Sequence, residues 1–276
     1  MRPFSELYVR IALKSPSVMH QLLAIAALHL GHQASGNSDS FRHTAAELRD
    51  DGLALFTSAS ASVVEQDTLD RFVFSSLVAM QIFAQELAFD RVKGLSAFID
   101  GFTSHISVYQ GARIVGQGSW SDVRESELKS WFVQLEKDQV IDRSYVSRGH
   151  ESVTAMLQFS QLNEAAIEAC STASKGLDFV RRRLHSRNSW GPHAPMAWVN
   201  LISPDFVKLL QSRTPEAMVL LAHFAELLHE CRDFWIFGDG GEHLIRAIAA
   251  ALGSHWMQWL ANPLGAVGLK ILSNTR

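Results

Sequence analysis

Residues 214–244, "TPEAMVLLAHFAELLHECRDFWIFGDGGEHL", gather carboxylates, histidines, a cysteine, aromatic rings and a glycine cluster into one stretch. His223, Glu226 and Glu230 fall at i, i+3 and i+7, so on a helix they share one face, while His229 points elsewhere. A zinc peptidase helix needs two histidines at i, i+4 with a glutamate beside the first, and that spacing is absent. The spacing instead predicts a solvated polar stripe opposite Met218, Leu221, Ala225 and Leu228. Phe234, Trp235, Phe237, Trp256 and Trp259 flank the glycine turn at 238–241, with Phe224 and Met218 on the helix that leads into it. Such rings either pack a core or wall a pocket for a flat, apolar ligand, since such pockets combine apolar walls with a few polar groups. Asp239, Glu242, His243 and His255 are the groups within reach of that turn, and the first three are the candidates for any acid–base role.

Other motifs are weaker. "GDGG" (238–241) and "GARIVGQG" (111–118) lack the lysine and preceding strand of a phosphate loop, so they read as turns between helices. "RRRLHSR" (181–187) is basic enough to touch phosphate or serve as a nuclear address. A run like this is also the ordinary solvated end of a helix, where cations suit the dipole. No serine or cysteine has an evident base partner along the sequence, and nothing calls for a metal or a cofactor.

The elements that must position these residues are helical nearly throughout. "SPSVMHQLLAIAALHLGHQASG" has Ser15 at an N-cap position, Pro16 at the first helical position and a stop near Gly36. Val18, Leu22, Ile25 and Leu28 line one face, and alanines make the other face small. This predicts a central helix with Leu23, Ala26 and Ala27 packed from several sides. Further helices are expected over about 41–64, 69–89, 95–109, 122–137 and 151–185, with a glycine-bearing loop near 110–122. "NSWGPHAP" (188–195) is the best internal break, short enough that residues 1–276 read as one helical domain with a subdivision there. Thr214 and Pro215 then open a helix to about Cys231, and a long helix from Glu242 closes the chain. The class is all-α, a multi-helix globular bundle without a significant sheet.

The totals agree with this. With 276 residues, 47% hydrophobic and 19% charged, the chain can bury a sizeable core. A net charge of −3 argues against direct nucleic-acid binding by this chain. Two cysteines exclude a disulfide scaffold and suit a reducing, intracellular setting, nucleus or cytoplasm. The N-terminus lacks a secretory apolar core, and the greasiest run, "LLAIAALHLG", falls far short of a membrane span.

The stretch ending Ala27-Leu28-His29-Leu30 resembles the opening helix of the regulatory domain of fungal zinc-cluster transcription factors. The run from Ala217 to Ile248, with His223-Phe224, Phe234-Trp235 and the glycine turn, is similar to that family's second hallmark. "SHWMQWLANP", with Trp256, Trp259 and Pro263, resembles its close. The subgroup suggested is that of sterol uptake control proteins and regulators of secondary-metabolite clusters. The resemblance implies a ligand-sensing regulatory domain, a homodimer, and a hydrophobic sterol- or terpenoid-like small molecule as partner. The family's DNA-binding region carries six cysteines around two zinc ions, and this sequence has no such cluster. A helical body with a greasy pocket and no DNA reader also fits a stand-alone, cofactor-free enzyme, a cyclase, pericyclase or isomerase of a hydrophobic natural-product intermediate.

Overall fold

The structure, a computed structural model, describes residues 2–34, 38–61, 68–87, 94–110, 125, 129, 148–185, 191–192 and 194–269. Among the described residues there is no strand, and the all-α class holds. The expected glycine loop near 110–122, apart from Gln110, and all but two residues of the helix expected over 122–137, lie outside them. The chain divides into two compact units, Met1–Ala84 with His105–Glu136, and Gln85–Ser104 with Lys137–Arg276.

The first unit contains α1 (Arg2–Ala12), α2 (Pro16–Gln33), α3 (Ser38–Ala61), α4 (Thr68–Leu87) up to Ala84, and the short α6 (Ile106–Tyr109). Ile11, Val18, Val73, Phe74 and Leu77 form its apolar centre, with Leu22, Ile25 and Phe56 packed against it. Phe56 stacks on Phe74 with ring centroids 4.4 Å apart. One buried amide pair crosses this centre. Gln21 Nε2 donates to Gln81 Oε1 at 2.5 Å, and Gln81 Nε2 donates to the Ala45 carbonyl at 3.3 Å, joining α2, α4 and α3.

Helix α2 does not take the central place expected of it. Its small face, Ser17, Ala24, Ala27 and Gly31 among others, is buried. That face lets α3 approach closely, with the Phe41 side chain against Gly31. Ala27 is packed as expected, but Ala26 is exposed, and Leu23 and Leu30 are 47% and 51% exposed. The helix is apolar all round yet buries only part of its circumference. Apolarity made every face eligible for burial, and packing used the side whose alanines and glycine allow the nearest neighbour.

The second unit holds α5 (Gly94–Ser104), α7 (Arg148–Gln158), α8 (Glu164–Leu184), a 3-10 turn (Ala194–Asn200), α9 (Pro204–Gln211), α10 (Pro215–Glu230), α11 (Gly240–Leu252), a second 3-10 turn (Ser254–Leu260) and α12 (Ala261–Ala266). The helix expected over 151–185 is two helices. Asn163 starts the second, its side chain accepting the Ala166 N–H at 2.9 Å. Ser203 caps α9 in the same way through the Phe206 N–H, ahead of a proline in the first turn. The long closing helix is also interrupted, because Gly253 takes φ +73°, outside helical space and readily reached only by glycine.

Helix α10 is the centre of this unit. Every residue from Glu216 to Ala225 is buried, as are Leu227 and Leu228. Trp198 lies against it, fully buried, stacked on Phe224 at 4.6 Å and donating its indole N–H to the Ala173 carbonyl at 2.9 Å. On another side α11 crosses so closely that a β-carbon at Gly241 would fall 2.6 Å from the Ala225 carbonyl oxygen and 2.5 Å from the His229 nitrogen. The glycine cluster is therefore a helix crossing as well as a turn.

Candidate functional site

The polar residues of α10 do not form a solvated stripe. Glu216 is buried and accepts a hydrogen bond from Ser160 Oγ at 2.6 Å. His223 is 2% exposed. Its Nε2 lies 3.2 Å from the Trp259 carbonyl oxygen and its Nδ1 lies 3.3 Å from Glu226 Oε2. Both neighbours are acceptors, so His223 stands between a backbone carbonyl and a carboxylate. Arg181 of α8 then closes on Glu226 with both arms of its guanidinium, at 3.2 and 2.9 Å. This is the fork geometry in which an arginine–carboxylate pair is strongest.

Burial alone would push the Glu226 carboxyl up. The His223 hydrogen bond and the charge and hydrogen bonds of Arg181 outweigh it and hold the carboxyl below its ordinary value. Arg181 belongs to the run read above as a solvated helix end, yet both Arg181 and Arg183 are buried. Sequence inspection missed Arg181 as the partner of Glu226. The available signal was on α10 itself, where a glutamate and a histidine at i, i+3 have apolar neighbours on both sides and must find partners if the helix is central.

Beside this network is a small cleft lined by Gly149, His150, Val153, Ser174, Leu177, Asp178, Arg181 and His223, with a volume of about 10 Å³. That is space for a single water. His150 Nδ1 lies 3.0 Å from Ser174 Oγ, a serine–histidine contact that neither residue's position along the chain announces. Asp178 places Oδ2 2.6 Å from Arg182, and its buried Oδ1 has no hydrogen-bond partner among the described residues. The pair resembles a nucleophile and base, but the space between them and Arg181 admits a water and not an acyl group. Among the described residues no group of histidine, cysteine and carboxylate side chains could hold a metal ion.

The residues singled out for a pocket at the glycine turn fall into three places. Phe234 and Phe237 meet edge to face at 5.2 Å, with Phe237 buried and Phe234 and Trp235 half-buried. Asp239, Glu242 and His243 sit at the start of α11. His243 Nδ1 donates to the Asp239 carbonyl at 3.0 Å and lies 3.5 Å from Asp239 Oδ2, while Glu242 takes Arg246 at 2.8 Å. Met218 and Phe224 are core, Phe224 facing Trp198 and Phe102. Trp256 and Trp259, both half-buried, follow the far end of α11. A helix from Gly240 to Leu252 rises about 18 Å, so the two tryptophans do not close over the 238–241 turn. Trp259 meets mid-α10 at His223 instead.

Comparison with known proteins agrees with the resemblance read from the sequence. Residues 1–135 match the family described as fungal specific transcription factor domain. That match contains the first hallmark, around Ala27–Leu30, and ends before the second. A Zn(2)-C6 fungal-type transcription factor of Gibberella zeae is 22% identical over 259 residues, covering 88% of this chain and 51% of the relative. The chain thus spans about half the length of that relative. No solved structure matches it.

Proposed function

We propose that this chain, similar to a fungal specific transcription factor domain, is a regulatory helical domain that takes up a hydrophobic small molecule of sterol or terpenoid type. The regulatory role follows the transcription-factor likeness. The ligand reading is carried by one observation. Phe234 and Trp235 stand half-buried a few residues ahead of Asp239, Glu242 and His243, in a unit that buries Trp198, Phe206, Phe224 and Phe237 completely or nearly so. Rings left open next to polar groups are what an apolar ligand with one polar end requires.

Tryptophan fluorescence titration with a sterol and with a terpenoid precursor tests this. Trp235→Ala is expected to weaken binding at least tenfold while Trp256→Ala, at the other end of α11, leaves it unchanged. Equal loss in both variants, or no saturable quenching in the parent, would remove the turn as the binding place.

A second reading has its own observation. Asp239 ties Nδ1 of His243, and among the described residues the other ring nitrogen is untied, the arrangement of a general acid–base histidine. In a cofactor-free cyclase or isomerase, a hydrophobic precursor would be converted to an isomer by the parent and not by His243→Ala, with binding retained. Product analysis alongside the titration separates an enzyme from a sensor.

The partner calls follow the same lines. Helix α2 bears no formally charged residue, and its open stripe at Leu23, Ala26 and Leu30 can face its own copy across a two-fold axis without like-charge repulsion. A homodimer through α2 is expected by light scattering, and Leu23→Lys with Leu30→Lys is expected to give a monomer. Action within the nucleus on a DNA-bound assembly suits the transcription-factor likeness, with no specific duplex binding by this chain alone in a gel shift. Among the described residues no helix is long and apolar enough to cross a membrane.

A further inference from the structure

We propose that Ser96 is a phosphorylation site for a basic-directed serine/threonine kinase, and that its phosphate locks α5 onto the turn between α9 and α10. Ser96 is exposed and is the third residue of α5, in the first turn of an 11-residue helix. Arg213 reaches it from the α9–α10 turn. One Nη2 donates to Ser96 Oγ at 2.7 Å, to the Ser96 carbonyl at 3.3 Å and to Asp100 Oδ1 at 2.6 Å. Nη1 donates to the Gln211 carbonyl. Among the described non-glycine residues, Arg213 is singled out by a positive φ, +53°. A left-handed arginine costs backbone energy, and this one is held by the side-chain bonds it makes across to α5.

The sequence leading to the hydroxyl, Arg91-Val92-Lys93-Gly94-Leu95-Ser96, places cations five and three residues before it. Kinases whose substrate groove is acidic select by such charge spacing. In the transfer, Ser96 Oγ bonds to the γ-phosphorus of ATP and the bond from that phosphorus to the β–γ bridging oxygen breaks. ADP leaves, and the hydroxyl proton passes to the kinase's base. The product carries nearly two negative charges and three acceptor oxygens beside a guanidinium and within the positive end of a helix. Asp100, 62% exposed, competes for the same guanidinium and yields it to the stronger anion by turning to water.

The test uses the full chain with a protein-kinase-B-type enzyme and Mg-ATP. Phosphopeptide mapping comes first, then the rate of tryptic cleavage between Arg213 and Thr214. Phosphate is expected on Ser96 and not at that position in Ser96→Ala, a surface change that keeps the parent's circular dichroism. Cleavage after Arg213 is expected to slow roughly tenfold on phosphorylation, the scale of a hydrogen bond to a charged group. Arg213→Lys keeps both the cleavage site and the phosphorylation, but loses most of the protection because an ammonium cannot fork. Failure to phosphorylate Ser96 under conditions that modify a control peptide of the same sequence overturns the proposal. So does phosphorylation that leaves the cleavage rate unchanged.

Discussion

Helices α2 and α10 look alike as sequences and end differently. Each has a proline at its start and a long run rich in leucine and alanine, and in neither does the preceding Ser15 or Thr214 side chain make a capping bond. Helix α2 carries no carboxylate, lysine or arginine, yet leaves Leu23 and Leu30 about half in water. Helix α10 carries Glu216, Glu226 and Glu230 with two histidines, yet is buried along nearly its whole length. Polarity alone ranks the two helices the wrong way round. Three polar groups of the α10 interior are each met by a partner from another element: Ser160 for Glu216, Arg181 for Glu226, the Trp259 carbonyl for His223. A helix can be central with charges on it when every charge is paired, and an uncharged helix stays open where nothing is packed against it.

The contrast can be broken most severely at Arg181. Arg181→Ala leaves Glu226 buried against His223 without its guanidinium, and a loss of about 3–5 kcal/mol is expected in chemical denaturation. A loss under 1 kcal/mol would mean that water reaches Glu226 and that α10 is less enclosed than described. Next in size is Gly241→Ala, where the new β-carbon meets backbone of α10 that cannot swing aside. Here about 1–3 kcal/mol or more is expected from overpacking, with α11 displaced.

Acid sharpens the same point. The folded-state carboxyl of Glu226 is held below its ordinary value, so its contribution to stability is complete above the usual glutamate range, about 4.3. It is lost as pH falls through the lowered value. Glu226→Gln should therefore show a flatter fall in stability below about pH 4 than the parent, and parallel curves would contradict the pairing. The smallest effects belong to α2. Leu30→Gln is expected to change monomer stability by no more than about 0.5 kcal/mol, whereas Ala27→Leu on the buried face should cost about 1–3 kcal/mol.

Much of the fold was legible. The helical period, the Pro16 and Pro215 starts and the all-α class follow from local chemistry, which the sequence carries directly. Helix breaks were less legible. Asn163 and Gly253 end or start helices inside stretches whose apolar period continues across them, and periodicity does not register a single residue's φ. Which helix is central was not legible either, because it depends on partners 45 residues away, as with Arg181 and Glu226. The candidate site shows the same limit. Phe234 with Phe237, and Asp239 with His243, are neighbours along the chain and do meet. Trp256 and Trp259 were assigned to the same turn although the length of α11 keeps them away from it.

The central claim is that α10, charges included, is the enclosed core of its unit and that α2 is an open-faced helix of the other. Hydrogen exchange read by mass spectrometry on the full chain at low micromolar concentration tests it most directly. The amides of residues 215–230 are expected to exchange only through opening of the whole second unit, among the slowest in the chain, while residues 16–33 exchange through smaller, more frequent openings. Protection of 16–33 equal to or greater than that of 215–230 would contradict the account.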